Sequence, residues 1–152
     1  MLFILVLAFT IFGLLSCNSG KENGEDDEHG ERIELTSFEQ THGIGPVTEE
    51  MNIPDEIDPE LVEQGERIYR SRCSSCHRME DRRVGPPLGT ITETRSPEWI
   101  MNFTLNPGEN VNRHPRGQAL LREYLTQMNN QNVDEDQVRA ILEYLRYEAD
   151  QR

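Results

Sequence analysis

The feature that most constrains this chain is the run Cys-Ser-Ser-Cys-His at positions 73–77. It places two thiols two residues apart and follows them directly with an imidazole. The only other cysteine among the 152 residues is Cys17. A framework of several disulfides and a four-cysteine zinc site are therefore both excluded. Whatever the chain folds into has to present this one short segment to its ligand or partner.

The Cys-x-x-Cys-His spacing is the signature of covalent c-type haem attachment. Two thiols add across the two vinyl groups of the haem, and the adjacent imidazole then stands beneath the iron. A redox-active pair of the thioredoxin type would begin a helix after a strand, whereas here the motif ends a helical pattern. A zinc site would need further ligands from three scattered histidines. The motif predicts one haem c held by Cys73, Cys76 and His77, with zinc and a disulfide as alternatives.

The N-terminal run MLFILVLAFTIFGLLSC is uncharged and almost wholly apolar. Its apolar part is nearer to the core of a signal peptide than to a full membrane span of about 20 residues. The LLSC stretch resembles the lipobox of bacterial lipoproteins, which are cut before the cysteine and lipidated on it. The resemblance implies a signal peptide over residues 1–16 and a lipid on Cys17, with an uncleaved anchor helix as the alternative. In both cases the rest of the chain lies in the cell envelope, faces the periplasm and is tethered to a membrane.

The negative charge precedes the folded part of the chain. Residues 21–63 hold fifteen acidic side chains against Lys21 and Arg32, which equals the net charge of −13. A run such as KENGEDDEHGE has too little apolar surface to fold and predicts a solvated linker. We therefore expect a lipidated N-terminus and flexible acidic linker over residues 17–57, although residues 41–54 could lie along the domain surface.

Four segments after this linker carry helical signals, and no alternating strand pattern of useful length appears. Their starts are marked by capping residues or by proline at the first helical position. They begin at Asp58-Pro59, at Ser96-Pro97, at Pro115 and at Asp134, and the second and third end near Asn106 and Gln127. Leu125 is expected on the apolar face of the third helix. The sequence predicts an all-α domain over residues 58–152.

This domain resembles a class I cytochrome c, a monohaem electron carrier of about four helices around one covalently bound haem. In that family an N-terminal helix with a G-x-x-x-aromatic pattern crosses the C-terminal helix. Gly65 and Tyr69 match the first helix, and ILEYLRY (residues 141–147) matches its partner. A glycine at such a crossing lets two helices approach closely.

The family also has a G-P-x-L stretch, present here as Gly85-Pro86-Pro87-Leu88. The resemblance implies that the Pro86 carbonyl accepts the Nδ1 hydrogen of His77 and that Leu88 packs on the haem face. It also implies that the indole N–H of Trp99 donates to a haem propionate, with plain core packing as the alternative.

The sixth iron ligand is predicted to be Met128. This residue follows the third helix and precedes the last one, as the ligand methionine does in class I cytochromes. Asn129 occupies the place where the family commonly has proline. Met101, in an apolar helical stretch, and His114 are the alternatives, together with an open sixth position.

With His77 and Met128 on the iron, no position remains for substrate, so the pattern predicts electron transfer without catalysis. Methionine ligation raises the reduction potential of haem. The alternative class is a haem sensor or small peroxidase with a labile sixth ligand, for which His114-Pro115-Arg116 is the only distal hint. A third hypothesis is a lipoprotein without haem whose Cys-x-x-Cys forms a structural disulfide.

A narrower resemblance concerns the amino-acid sequence that surrounds these motifs. RRVGPPLGTITETRSPEWIMNFTLNP, followed by LLREYLTQMNNQNVDEDQVRAILEYLRYE, is similar to small lipoprotein cytochromes c associated with nitrous oxide reductase systems. The resemblance implies redox partners in a respiratory chain, with nitrous oxide reductase, a copper enzyme, as the electron acceptor. It implies no nucleic-acid partner.

Overall fold

The computed structural model describes residues 34–152, so the predicted signal peptide, Cys17 and the first part of the predicted linker lie outside the described residues. Within residues 34–152 the chain is helical and forms no strand. The helices are α1 (Ser37–His42), α2 (Pro59–Ile68), α3 (Ile91–Thr94), α4 (Pro97–Leu105), α5 (Pro107–Arg113), α6 (Pro115–Tyr124) and α7 (Glu135–Asp150), and a π-helical turn (Tyr69–Cys73) follows α2. The predicted all-α class is confirmed.

Helix α2 begins where the sequence predicts it. The carboxylate of Asp58 accepts hydrogen bonds from the backbone N–H groups of Glu60 (2.9 Å) and Leu61 (3.3 Å), and Pro59 occupies the first turn. Both features satisfy or remove backbone donors that a helix start leaves free. The helix then continues into the wider π-helical turn that carries Cys73.

Helix α7 forms the centre of the core and crosses α2. A capping box between Asp134 and Gln137 starts it. Its inner face is formed by Val138, Ile141, Leu142 and Leu145, all at most 3% exposed. At the crossing a Cβ on Gly65 would lie 2.0 Å from the carbonyl oxygen of Ala140. Only glycine permits this approach, so the predicted role of Gly65 in the crossing is confirmed.

The segment between residues 34 and 57 differs from the predicted flexible linker, because it packs against the domain. Ile44 is 7% exposed, and the buried amide of Asn102 pairs with both backbone groups of Val47. Asn102 Oδ1 accepts from the Val47 N–H, and Asn102 Nδ2 donates to the Val47 carbonyl, each at 2.9 Å. Asn102 Nδ2 also lies 3.1 Å from the carbonyl oxygen of His42. We call residues 36–51 the strap.

A second buried amide, that of Asn110 in α5, holds the strap three residues earlier, at Ile44. Its Oδ1 accepts from the Ile44 N–H at 2.9 Å, and its Nδ2 donates to the Ile44 carbonyl at 2.7 Å. Asn102 and Asn110 are both 0% exposed. Each amide pairs with both the N–H and the carbonyl of one strap residue, as a neighbouring strand would. The strap therefore belongs to the folded domain, whose N-terminal boundary lies upstream of the predicted residue 58.

The start of α2, which follows the strap, is joined to α7 through a buried carboxylate. Glu143, 0% exposed, accepts from the backbone N–H of Asp58 at 3.0 Å and from the guanidinium groups of Arg139 and Arg146. Burial by itself raises the pKa of Glu143, but these donors outweigh it and the net shift is downward. The carboxylate is therefore ionised and fully paired, which is the condition under which a charge is tolerated in a core.

The third predicted helix ends earlier than expected. It stops at Tyr124, and Leu125 takes up a left-handed conformation (φ 55°) that ends α6. Leu125 was expected on the apolar face of this helix, but it is 83% exposed.

None of the helices formed within residues 34–152 is long and apolar enough to cross a membrane.

Candidate functional site

The Cys-x-x-Cys-His segment leaves the π-helical turn and closes on itself. The backbone N–H groups of Cys76 and His77 both donate to the carbonyl oxygen of Cys73, at 3.0 and 2.9 Å. Cys73 is buried and Cys76 is exposed. The motif therefore ends a helix, as the sequence predicts, and its two thiols lie at the border between core and solvent.

The chemistry of these thiols does not fit a thioredoxin-type site. Burial, and secondly the neighbouring Cys76, raise the pKa of the Cys73 thiol to about 11. Reactive cysteines of redox enzymes have thiol pKa values that are lowered, commonly by a helix N-terminus. Cys73 instead lies at the C-terminal end of a helix in an apolar environment. Such an environment suits a thiol held in a stable covalent bond and not a reactive thiolate.

The imidazole of His77 is fixed in one tautomer. Its Nδ1 lies 2.9 Å from the carbonyl oxygen of Pro86, the contact that the resemblance implied. Because a carbonyl only accepts, Nδ1 carries the hydrogen and Nε2 keeps its lone pair. Burial lowers the pKa of His77, although the bond to Pro86 opposes this shift. His77 is therefore a neutral imidazole with one nitrogen available to a metal.

Gly85 is needed beside this ring. A Cβ at Gly85 would lie 2.4 Å from Cε1 of His77 and under 3 Å from both ring nitrogens. The loop that carries Gly85 is held by hydrogen bonds from the backbone N–H groups of Val84 and Gly85 to the carbonyl oxygen of Cys76. The G-P-P-L stretch thus packs directly on the histidine of the motif.

Leu88 lies further along the same loop. Its backbone N–H donates to the carbonyl oxygen of Arg78 at 2.9 Å, and its half-buried side chain packs against the core. The loop therefore brings Cys76, His77 and Pro86 together as expected, whereas packing of Leu88 on the haem face stays a prediction.

Trp99 is 3% exposed and lies in an aromatic cluster on α4. The ring of His114 meets it edge-on at 4.7 Å, and the guanidinium of Arg116 stands over it at 4.8 Å. No described residue accepts a hydrogen bond from its indole N–H. The contacts show core packing of the ring, and the propionate role of the N–H stays a prediction.

Met128 is half-buried in the segment between α6 and α7. Arg82, in the loop after His77, contacts the end of α6, from which this segment starts. Its Nη2 donates to the carbonyl oxygen of Glu123 at 3.0 Å, and its guanidinium covers the Tyr124 ring at 4.3 Å. The chain leading to Met128 therefore lies beside the loop that follows His77. Ligation by Met128 itself stays a prediction.

The alternative sixth ligands are occupied elsewhere. Met101 is 2% exposed within the hydrophobic core. His114 is 3% exposed; its Nε2 lies 3.2 Å from the carbonyl oxygen of Gln40, and its Nδ1 accepts from the backbone N–H of Arg116 at 3.1 Å. In residues 34–152 there is no cluster of three or more side chains suited to a metal ion alone, which removes support for the zinc alternative.

Sequence reasoning missed one contact of the site. The phenolic O–H of Tyr69 donates to the carbonyl oxygen of His77 at 2.8 Å. The sequence marks Tyr69 only as the aromatic residue of the α2–α7 crossing, since nothing in a one-dimensional pattern shows that the chain turns back beneath it. The residues present fit a covalently held haem: two thiols, one tautomerically fixed imidazole and a ring-facing glycine.

Comparison with protein families gives one match, in which the model described as cytochrome c aligns with residues 62–148. A search of curated proteins finds no match.

Solved structures give close matches. Cytochrome c from Rhodothermus marinus is 40% identical, with a TM-score of 0.71 over 75% of this chain and 97% of that one. An engineered form of that cytochrome is 40% identical, with a TM-score of 0.69 over 74% and 96%. The engineered form bound to a carbene intermediate is also 40% identical, with a TM-score of 0.67 over the same shares.

Proposed function

The chain belongs to the cytochrome c family, with one covalently bound haem c, and from this premise we propose that it is an exported, membrane-tethered carrier of single electrons. The observation that carries the proposal is the state of His77. Its Nδ1 is bound to Pro86 and its Nε2 keeps a free lone pair, so the imidazole is ready to ligate iron without rearrangement. The haem, when bound, supplies the one-electron couple. The protein positions the ligands and excludes water.

We propose Met128 as the second axial ligand. Arg82 holds the end of α6, from which the segment of Met128 starts, beside the loop after His77. The alternative ligands are engaged in other contacts, Met101 in the hydrophobic core and His114 with the Gln40 carbonyl. A thioether sulfur stabilises Fe(II), so a His77/Met128 pair supports a higher reduction potential than two histidines. A filled sixth position leaves no site for a substrate, and the protein then has no catalysis of its own.

Trp99 and Arg116 are proposed to face a haem propionate. The indole N–H is a donor, and the guanidinium over the same ring makes no ion pair with an acidic residue in the described part of the chain. Such a guanidinium favours a carboxylate partner. Arg95 belongs to the same region, because burial and, secondly, the nearby Arg116 lower its pKa.

The oxidised absorption spectrum of the haem-loaded protein tests the axial pair. Wild type is expected to show the weak charge-transfer band of an Fe(III)–methionine bond, and Met128→Ala is expected to lose it. Met51→Ala, which truncates a half-buried methionine of the strap, serves as the control and should keep the band. A band that survives in Met128→Ala would contradict this assignment.

The tether and the partner are proposed from the sequence. LLSC places the lipid on Cys17, so that the domain remains membrane-bound and faces the periplasm. Cys17→Ser is expected to release the haem protein from membranes, whereas retention in the membrane fraction would contradict the lipid anchor. Nitrous oxide reductase is the proposed acceptor, tested by whether the reduced protein is reoxidised by that enzyme.

The second hypothesis, a sensor or peroxidase, depends on a distal constellation near His114. Both ring nitrogens of His114 are hydrogen-bonded and the ring is buried under Gln40. Binding of carbon monoxide by the reduced protein separates the two hypotheses. Slow or weak binding is expected of an electron carrier, and rapid binding would favour the sensor.

A further inference from the structure

Tyr69 lies where the two central helices meet the haem-binding segment. It opens the π-helical turn Tyr69–Cys73, in which the backbone N–H of Ser74 donates to the carbonyl oxygen of Tyr69 at 2.9 Å. This five-residue spacing is the mark of a π turn, and such turns are frequent at functional sites. Cys73 follows at the end of the same turn, so the conformation at Tyr69 determines where the motif begins.

The phenol of Tyr69 also holds the other end of the motif. Its O–H donates to the carbonyl oxygen of His77 at 2.8 Å, and no other described residue donates to that carbonyl. His77 is thus fixed at three atoms: its N–H by Cys73, its ring Nδ1 by Pro86 and its carbonyl by Tyr69. Of these, the bond from Tyr69 is the only one supplied by a side chain.

The position of this phenol is set by the helix crossing. The Tyr69 ring is 6% exposed and packs on the Tyr144 ring of α7 with centroids 5.4 Å apart. Gly65, one turn earlier on α2, allows the two helices to touch.

We propose that Tyr69 is a positioning residue for the proximal haem ligand, through the hydrogen bond from its hydroxyl to the His77 carbonyl. The bond fixes the peptide from which the imidazole is presented, and thereby the plane of the ring against the haem. The inference rests on the proposed function, because it requires His77 to ligate the iron. It couples the α2–α7 crossing to the electronic properties of the haem.

The test compares haem-loaded wild type with Tyr69→Phe and Tyr144→Phe. Each variant keeps its ring and loses one phenolic hydroxyl, but of the two hydroxyls only that of Tyr69 is hydrogen-bonded to residues 73–77. Because the rings remain, both variants are expected to fold. Three quantities are measured: the carbonyl ¹³C resonance of His77, the spread of the haem methyl proton resonances in the oxidised protein, and the midpoint potential.

Tyr69→Phe is expected to change all three quantities, and Tyr144→Phe is expected to leave them at the wild-type values even if it loses comparable stability. The proposal is overturned if Tyr69→Phe keeps the wild-type methyl spread and potential. It is equally overturned if Tyr144→Phe shifts them as much, because general loosening of the helix crossing would then explain the effect. Failure of the proposed function is distinct, since wild type itself would then show no covalently bound, redox-active haem.

Discussion

The strap depends on Asn102, and replacing this residue with alanine tests whether residues 36–51 are part of the folded unit. The wild-type amide makes two bonds to the backbone of Val47, both at 2.9 Å, and its Nδ2 also lies 3.1 Å from the His42 carbonyl oxygen and 3.3 Å from that of Gly43. A net hydrogen bond contributes about 0.5–1.5 kcal/mol, and a buried group left without its partner costs about 1–3 kcal/mol. Because Val47 is half-buried, water replaces part of the loss, and we expect Asn102→Ala to lower the free energy of unfolding by about 3 kcal/mol.

For a domain of this size a loss of that magnitude lowers the melting temperature by roughly 10 °C or more. Denaturant unfolding of the haem-loaded protein, followed by circular dichroism, measures it, and hydrogen exchange at the Val47 amide shows whether the strap opens first. Asn112→Ala, at an exposed position on α5, is the matched control and should change stability little. A loss under about 1 kcal/mol with unchanged protection of Val47 would refute the reasoning, because the strap would then not depend on these bonds.

Two further predictions concern the site and its pH dependence. Gly85→Ala places a Cβ against the His77 ring and is expected to reduce the covalent haem content per protein, measured by Soret absorbance. Gly108→Ala is the control, because its Cβ meets nothing closer than 3.8 Å and the variant should bind haem normally. Equal haem content in the two variants would contradict the predicted clash. Burial lowers the pKa of His114, so the unfolded chain binds more protons and stability is lost as pH falls below about 6.5. His114→Asn keeps an acceptor for the Arg116 N–H but does not titrate. Its melting temperature should therefore fall less between pH 7.5 and 5.5 than that of wild type. An identical fall in both proteins would show that His114 is not the source of this pH dependence.

The haem-binding segment and the helix starts were predictable because their causes are local. A helix begins at Asp58-Pro59 or at Asp134 since the capping groups lie within a few residues. The chemistry of residues 73–77 depends on spacing alone, whereas the contact of the Pro86 carbonyl with His77 was implied by the family resemblance. Leu125 was misassigned because helical periodicity continues past the point at which the backbone turns left-handed.

The sequence left open whether residues 41–54 lie along the domain, and it could not show how the strap is held, because the residues that hold it lie 55 to 66 positions away in the chain. An acidic, glycine-containing stretch favours a linker on composition, and only the buried amides of Asn102 and Asn110 supply the backbone partners that let it pack. The bond from Tyr69 to His77 depends likewise on the chain turning back under α2. The sequence by itself determined that one haem c is bound, since the spacing of two thiols and an imidazole sets that chemistry. The tertiary structure alone decided how rigidly the ligand is presented, because that rigidity comes from hydrogen bonds between segments that local pattern cannot connect.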